Sequence, residues 1–184
     1  MIPCHSLSLN SSVLQGHQTV MDLRAKQVQA YLSRQGLVPQ NFTRPTPTSA
    51  TAAAAVGCSV GEIAKSILLL VGKQPVIVIT SGDTKVKSGR LKKAAGLTGK
   101  VTLPDAEEVK QYTGYAPGGV SPFLLPEDLP VFLDLSLQRY ELIYPAAATD
   151  SSAVAVTFSR LGELCGGTIV DVCDIQVLTD IRKE

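Results

Sequence analysis

Histidine is scarce and badly placed for catalysis: the 184-residue chain has two, His5 and His17, both within its first twenty residues. The rest of the chain therefore lacks the imidazole on which Ser-His-Asp and Cys-His nucleophilic sites depend and which most zinc sites use. Tryptophan is absent and aromatics make up only 5% of residues, so the core must be built from Val, Leu, Ile and Ala. No apolar run approaches the roughly 20 residues a membrane helix needs. The four cysteines, Cys4, Cys58, Cys165 and Cys173, form no CxxC pair and read as buried thiols of a reducing, cytoplasmic compartment. Cys58 has no imidazole to activate it, so a structural thiol is a better reading than a nucleophile. No DxD or ExxE cluster marks a magnesium site. Residues 1–20 carry no Lys, Arg, Asp or Glu. They lack the basic start of a signal peptide and, being polar and aperiodic, read as a disordered or mobile tail. The body, 21–184, is long enough for one domain with a sizeable core.

Net charge is only +1, but it is unevenly spread. From Asp22 to Lys100 there are 12 basic and 3 acidic residues, and from Val101 to Glu184 there are 5 basic and 13 acidic. Lys85, Lys87, Arg90, Lys92, Lys93 and Lys100 fall in a span without any acid. Such a span can attract a phosphate backbone. A solvated helix face accounts for it equally well.

Asp22 can cap a helix carrying Leu23, Val28, Tyr31 and Leu32 near one face, ended by Gly36. A proline-rich loop over 39–49 leads to a short helix from Ala50 to Val56, capped by Ser49 and stopped by Gly57. Ser59–Ser66 reads as a helical turn running into Ile67–Val71, which forms a hairpin with Val76–Thr80. Short helices follow at Leu91–Ala95 and from Asp105 to about Thr113, with a brief strand at Val101–Leu103. Strands are expected at Val131–Leu133, Leu142–Tyr144, Ala153–Phe158 and Ile169–Val172, the last preceded by a Ser159-capped helix. Short helices interleaved with strand pairs predict an α+β fold with a mixed, strongly curved, partly barrel-like sheet.

Gly114-Tyr115-Ala116-Pro117-Gly118-Gly119-Val120-Ser121-Pro122 sits between a helical pattern and an apolar run. Three glycines let a ligand approach the main chain, and two prolines stiffen the loop. Exposed N–H groups on such a loop can cradle an anion or oxyanion; a two-turn connector is the bland alternative. The GxxxxGK[ST] spacing of a nucleotide loop is missing. With a lysine at a helix-to-strand junction, Lys65, and a buried-looking Asp134, the inventory fits stabilisation of a reacting carbonyl by fixed donors, with water as nucleophile.

Lys65-Ser66-Ile67-Leu68-Leu69, Leu91 to Gly96, Gly114 to Phe123 and Leu129-Pro130-Val131-Phe132-Leu133-Asp134 occur here in one order. Together they resemble the YbaK/prolyl-tRNA-synthetase-associated editing domain family, over roughly residues 22–174. The resemblance implies a metal-free, cofactor-free deacylase that hydrolyses mischarged aminoacyl-tRNA in trans, most often tRNA for proline carrying Cys, Ser, Thr or Ala. It implies Lys65, Gly118 and Gly119 in catalysis and Gly114, Tyr115, Pro117, Val120, Ser121 and Asp134 around the substrate. It also implies Lys85, Lys87, Arg90, Lys92 and Lys93 against the tRNA, with prolyl-tRNA synthetase as a further partner. Two features depart from the family pattern. Pro145-Ala146-Ala147-Ala148 replaces a glycine-rich turn, and Lys65-Ser66 replaces the Lys-Asn of the alanine-removing branch, favouring Cys, Ser or Thr substrates. The competing reading is a catalytically silent tRNA- or synthetase-binding module of the same fold.

Overall fold

Two apolar runs joined by a glycine turn make the hairpin on which everything else packs. In the computed structural model, which describes residues 11–176, these are β2 (Ile63–Val71) and β3 (Gln74–Ser81). They pair antiparallel from Ala64 opposite Ser81 to Val71 opposite Gln74. Gly72 closes the turn at φ +66°, a left-handed conformation that glycine adopts without steric cost. Residues 76–81 of β3 are buried without alternation, as expected of a strand covered on both faces.

One face carries Ala64, Leu68, Ile77 and Ile79 against Phe123, Leu133, Val154 and Leu161. Val28 and Leu32 of α1 (Ser11–Arg34) cap this layer, both fully buried. The other face carries Leu69, Val71, Val76 and Val78 against Phe132, Val172 and Leu91 of α3 (Ser88–Ala95). A side chain from α1 and one from α3 thus bury opposite sides of the same hairpin.

The sheet extends as β5 (Val101–Thr102), β2, β3, β6 (Val131–Asp134) and β9 (Thr168–Val170), with β7 (Tyr144–Pro145) pairing parallel to the start of β2. Strands β3, β6 and β9 run parallel, and α5 (Phe158–Cys165) is the crossover between the last two. Two short ladders flank it. Strand β1 (Gln40–Asn41) pairs with β8 (Ser152–Ala153), and β4 (Thr84–Val86) pairs with β10 (Cys173–Ile175). The fold is α+β with a mixed sheet, as expected. The partly barrel-like curvature is not found: the sheet is an open path ending at β5 and β9.

Several local expectations need correction. Helix α1 begins at Ser11 rather than Asp22, so residues 11–20, expected in the mobile tail, are helical; residues 1–10 lie outside the described residues. The cap of α2 (Ser49–Val56) is Thr48, whose hydroxyl accepts from Thr51 N while Thr51 reciprocates. Likewise Thr157, not Ser159, caps α5. The helical turn before β2 is a 3₁₀ turn of three residues, Val60–Glu62. Lys65 therefore lies within a strand, not at its junction.

Asp134 is 1% exposed, but it holds backbone rather than substrate. Its Oδ1 accepts from Ser136 N at 3.0 Å and its Oδ2 from Val172 N at 2.8 Å. The carboxylate thus ties the end of β6 to the segment leading into β10. Asp134→Ala should orphan both donors. At about 1–3 kcal/mol per buried unpartnered group, the melting temperature is expected to drop by several degrees, measured by calorimetry.

Candidate active site

Strand β2 has one edge only partly covered, and a cleft of about 240 Å³ opens beside it. Its walls are Ile63 to Ser66 of β2, Gly118 and Val120 of the glycine loop, Tyr144 and Ala146, the 149–153 segment, and the Thr46–Ala52 entry to α2. The β3 side of β2 is fully paired. Ile77 N–H goes to Pro130 O, towards β6, so by alternation Val76, Val78 and Thr80 turn their peptide groups to β2. Their partners Leu69, Ile67 and Lys65 face back, and Ala64, Ser66, Leu68 and Leu70 point to the other edge. There Ala64 meets β7 and Leu70 meets β5. The peptide groups of Ser66, between the two, face the edge on which the cleft lies.

The glycine loop reaches the cleft through a tight turn. Gly119 N donates to Ala116 O at 3.1 Å, with Pro117 and Gly118 between them and Gly118 at φ +83°. Proline followed by a positive-φ glycine is a type II turn. The N–H of Gly119 is spent inside that turn, which corrects its expected role as a forward-pointing donor. Gly118 and Val120 line the cleft, and among the described residues their N–H groups have no hydrogen-bond partner. A Cβ on Gly119 would lie 3.0 Å from Asp150 N and 3.2 Å from Thr149 C. Backbone packed on backbone fixes the loop against the opposite wall.

Other loop residues are structural. Gly114 caps α4 (Ala106–Thr113) at φ +73°. Tyr115 is 2% exposed and its hydroxyl donates to Phe123 O; burial pushes its pKa up. The Arg24 guanidinium stacks 5.1 Å above the Tyr115 ring and donates to Leu124 O, bolting the loop to α1. Ser121 is fully buried and donates to Ala146 O at 2.8 Å. Tyr115, Ser121, Gly114, Pro117 and Asp134 do not line the cleft, contrary to the expectation that they surround the substrate.

Lys65 and the basic span are also only partly where expected. The Lys65 side chain borders the cleft, but its Nζ donates to Thr84 O at 2.7 Å and Gly82 O at 3.4 Å, neither of which lines it. Burial lowers its pKa, against upward pulls from Cys173 and Asp83. Cys173 itself is pushed up to about 12, chiefly by burial, and is a poor nucleophile. Burial pushes the Asp83 carboxyl up, but hydrogen bonds from Arg139 and Ser81 and the Arg139 charge outweigh it and hold it below the usual range. The Arg139–Asp83 pair spans 2.6 Å. Lys87 pairs with Asp174 at 2.9 Å, and Arg90 with Asp174 at 3.0 Å and Asp171 at 3.5 Å. Those two cations are thus partly neutralised by the β10 end of the chain. Among the described residues Lys85, Lys92 and Lys93 make no ion pair. The sequence reading missed Ser66, Ala146 and the 149–153 wall, because only the β1–β8 ladder and the turn at Gly119 bring them to β2.

The comparisons with known proteins agree with this architecture. A solved structure of a proposed trans-editing enzyme for prolyl tRNA synthetase superposes with a TM-score of 0.73 at 30% identity, over 82% of this chain and 97% of that one. The uncharacterised protein YwhH of Bacillus subtilis is 33% identical over 134 residues, 72% of this chain and 84% of its own length. EbsC of Enterococcus faecalis, a proposed Cys-tRNA(Pro)/Cys-tRNA(Cys) deacylase, is 25% identical over 65% of this chain and 73% of its own. The proline–tRNA ligase of Aquifex aeolicus is 36% identical over 117 residues, which are 62% of this chain but 20% of the ligase. The profile of the aminoacyl-tRNA editing domain matches residues 43–163. The chain belongs to the aminoacyl-tRNA editing domain family.

Proposed function

We propose that this chain is a trans-acting aminoacyl-tRNA deacylase that hydrolyses the ester of a mischarged tRNA, with tRNA for proline as the leading candidate. The observation that carries the reading is the convergence of Lys65 on β2 with Gly118 and Val120 of the loop on one 240 Å³ cleft. That volume suits an aminoacyl group, being smaller than the roughly 300 Å³ at which drug-sized sites begin. Water attacks the ester carbonyl and its oxygen becomes negative. The Gly118 and Val120 N–H groups supply the fixed donors for that charge. The C–O bond to the ribose then breaks, releasing the amino acid as its carboxylate and the tRNA 3′-terminal hydroxyl. Lys65 swings from the Gly82 and Thr84 carbonyls to hold the anionic acceptor end. Hydrolysis uses no metal or cofactor in this scheme, and the free thiols Cys58, Cys165 and Cys173 suit a reducing cytoplasm.

Second-site hydrolysis is useful because a hydrophobic pocket separates amino acids differing by a methylene by only about 1–3 kcal/mol. The test is single-turnover hydrolysis of tRNA for proline charged with Cys, Ser, Thr, Ala or Pro. Faster release of at least one noncognate amino acid than of proline is expected. No acceleration over buffer with any of them would leave the silent tRNA- or synthetase-binding module as the reading.

The exposed cations Lys85, Lys92 and Lys93 are assigned to the tRNA phosphates. Lys92→Glu with Lys93→Glu should weaken all tRNAs about equally and flatten the salt dependence of binding, whose slope is roughly −0.7 to −0.9 per phosphate neutralised. Filter binding from low to moderate salt measures it. A changed amino-acid preference in this variant would remove the surface from its assigned role.

A further inference from the structure

Two buried side-chain polar atoms among the described residues have no hydrogen-bond partner, Arg24 Nε and Ser66 Oγ. Such atoms are few in folded proteins and each calls for a cause. Arg24 has one: its guanidinium already clamps the loop through Tyr115 and Leu124. Ser66 has none within the protein. It lies on the cleft wall, and its neighbours there, Ala64, Val120 and Ala146, offer no side-chain hydrogen-bonding group. An alanine at 66 would complete an apolar wall without leaving a hydroxyl unpaired.

From this, and resting on the deacylase reading above, we infer that Ser66 determines specificity: its hydroxyl hydrogen-bonds the β-hydroxyl or thiol of a small aminoacyl side chain. The chemistry favours a neutral polar partner over the substrate's α-ammonium. The one carboxylate residue bordering the cleft is Asp150, which is exposed, whereas the wall around Ser66 carries no charge apart from the Lys65 cation. Serine has a single side-chain torsion with staggered wells, so a modest rotation turns Oγ from its buried position to a ligand. The Ser66 peptide groups, on the uncovered edge of β2, lie beside it to orient the aminoacyl group. A hydroxyl that is unpaired without its ligand penalises analogues that cannot bond it, which is how polar sites reject apolar isosteres. The cleft therefore prefers seryl or cysteinyl groups to alanyl.

The experiment compares binding of two non-hydrolysable probes, 3′-seryl-amino-3′-deoxyadenosine and its alanyl analogue, by titration calorimetry on the full chain and on Ser66→Ala. The wild type is expected to bind the seryl probe about 10- to 100-fold more tightly, the range for one buried hydrogen bond. In Ser66→Ala that gap should close, with the alanyl probe unaffected or slightly improved. Equal affinities in the wild type, binding of neither probe, or a preference that survives in Ser66→Ala would each overturn the inference. A melt accompanies the variant, which loses no protein contact; should it fail to fold, the wild-type comparison alone still decides. Hydrolysis without a seryl preference would sink this inference and leave the deacylase standing. A Ser66-dependent preference without hydrolysis would do the reverse.

Discussion

Gly119→Val is expected to abolish deacylation while leaving most of the fold intact. The reason differs from the usual one for a glycine in a binding loop. Its Cβ would not enter the cleft. It would press on the main chain of Thr149 and Asp150 at 3.0–3.2 Å, and backbone atoms cannot rotate away as a side chain does. Either the 149–153 wall or the Ala116–Gly119 turn must shift, and both border the cleft. Loss of even one oxyanion donor typically costs about 10²–10³ in rate, so a displaced turn that misplaces the Gly118 and Val120 N–H groups should cost at least that. Gly118→Ala is the informative companion. Its Cβ meets nothing within 4 Å, but the residue sits at φ +83°, so the variant is strained by about 1 kcal/mol and projects a methyl into open space. It should lose less than Gly119→Val. Single-turnover rates with a thermal melt for each variant decide the matter. A folded Gly119→Val with near wild-type rate would separate the turn from the chemistry, and a worse defect in Gly118→Ala would move the critical contact to that position.

How far the sequence foretold this arrangement depends on the range of each interaction. The β2–β3 hairpin was legible because its pattern is local: two aliphatic runs separated by Gly72, with Gly57, Gly96, Gly114 and Gly166 marking helix ends at positive φ. The glycine loop was legible as a tight turn, since Pro117-Gly118 encodes it within four residues. Strand β4 was not, because Thr84–Val86 becomes a strand only by pairing with β10, about ninety residues away. Asp134 was rightly read as buried and wrongly placed at the substrate: burial follows from the apolar run before it, whereas its partner Val172 N comes from another part of the chain. Ser121 misled similarly. A loop serine looks available until Ala146 O is found beneath it. The basic span was visible as composition, but its partial neutralisation by Asp171 and Asp174 was not. The open β2 edge at Ser66 has no local signature, because it is defined by where β5 and β7 stop.

Lys65→Ala should likewise remove most activity, and its accompanying variants separate three explanations. In the structure the ammonium is bonded to the Thr84 and Gly82 carbonyls. Loss of those bonds could act through stability, by loosening the β3–β4 turn, rather than through substrate. Neutral acceptors hold a lysine more weakly than a carboxylate would. The same ammonium is therefore poised to exchange carbonyl oxygens for the anionic acceptor end of a tRNA. If that exchange occurs, Lys65→Ala should lose deacylation at all tRNA concentrations with a melt close to wild type. Lys65→Arg should recover little, because a planar guanidinium has different donor geometry and more bulk. Because burial lowers the Lys65 pKa, its charge is present at neutral pH and lost at a lower pH than for an ordinary lysine, near 10.4. The enzyme-dependent rate, corrected for spontaneous ester hydrolysis, should accordingly fall on the alkaline side. A large loss of thermal stability in Lys65→Ala, matched by the loss of activity, would make the lysine a brace for the β3–β4 turn. A stable variant with full activity would remove it from the mechanism and leave the loop N–H groups to hold the substrate alone.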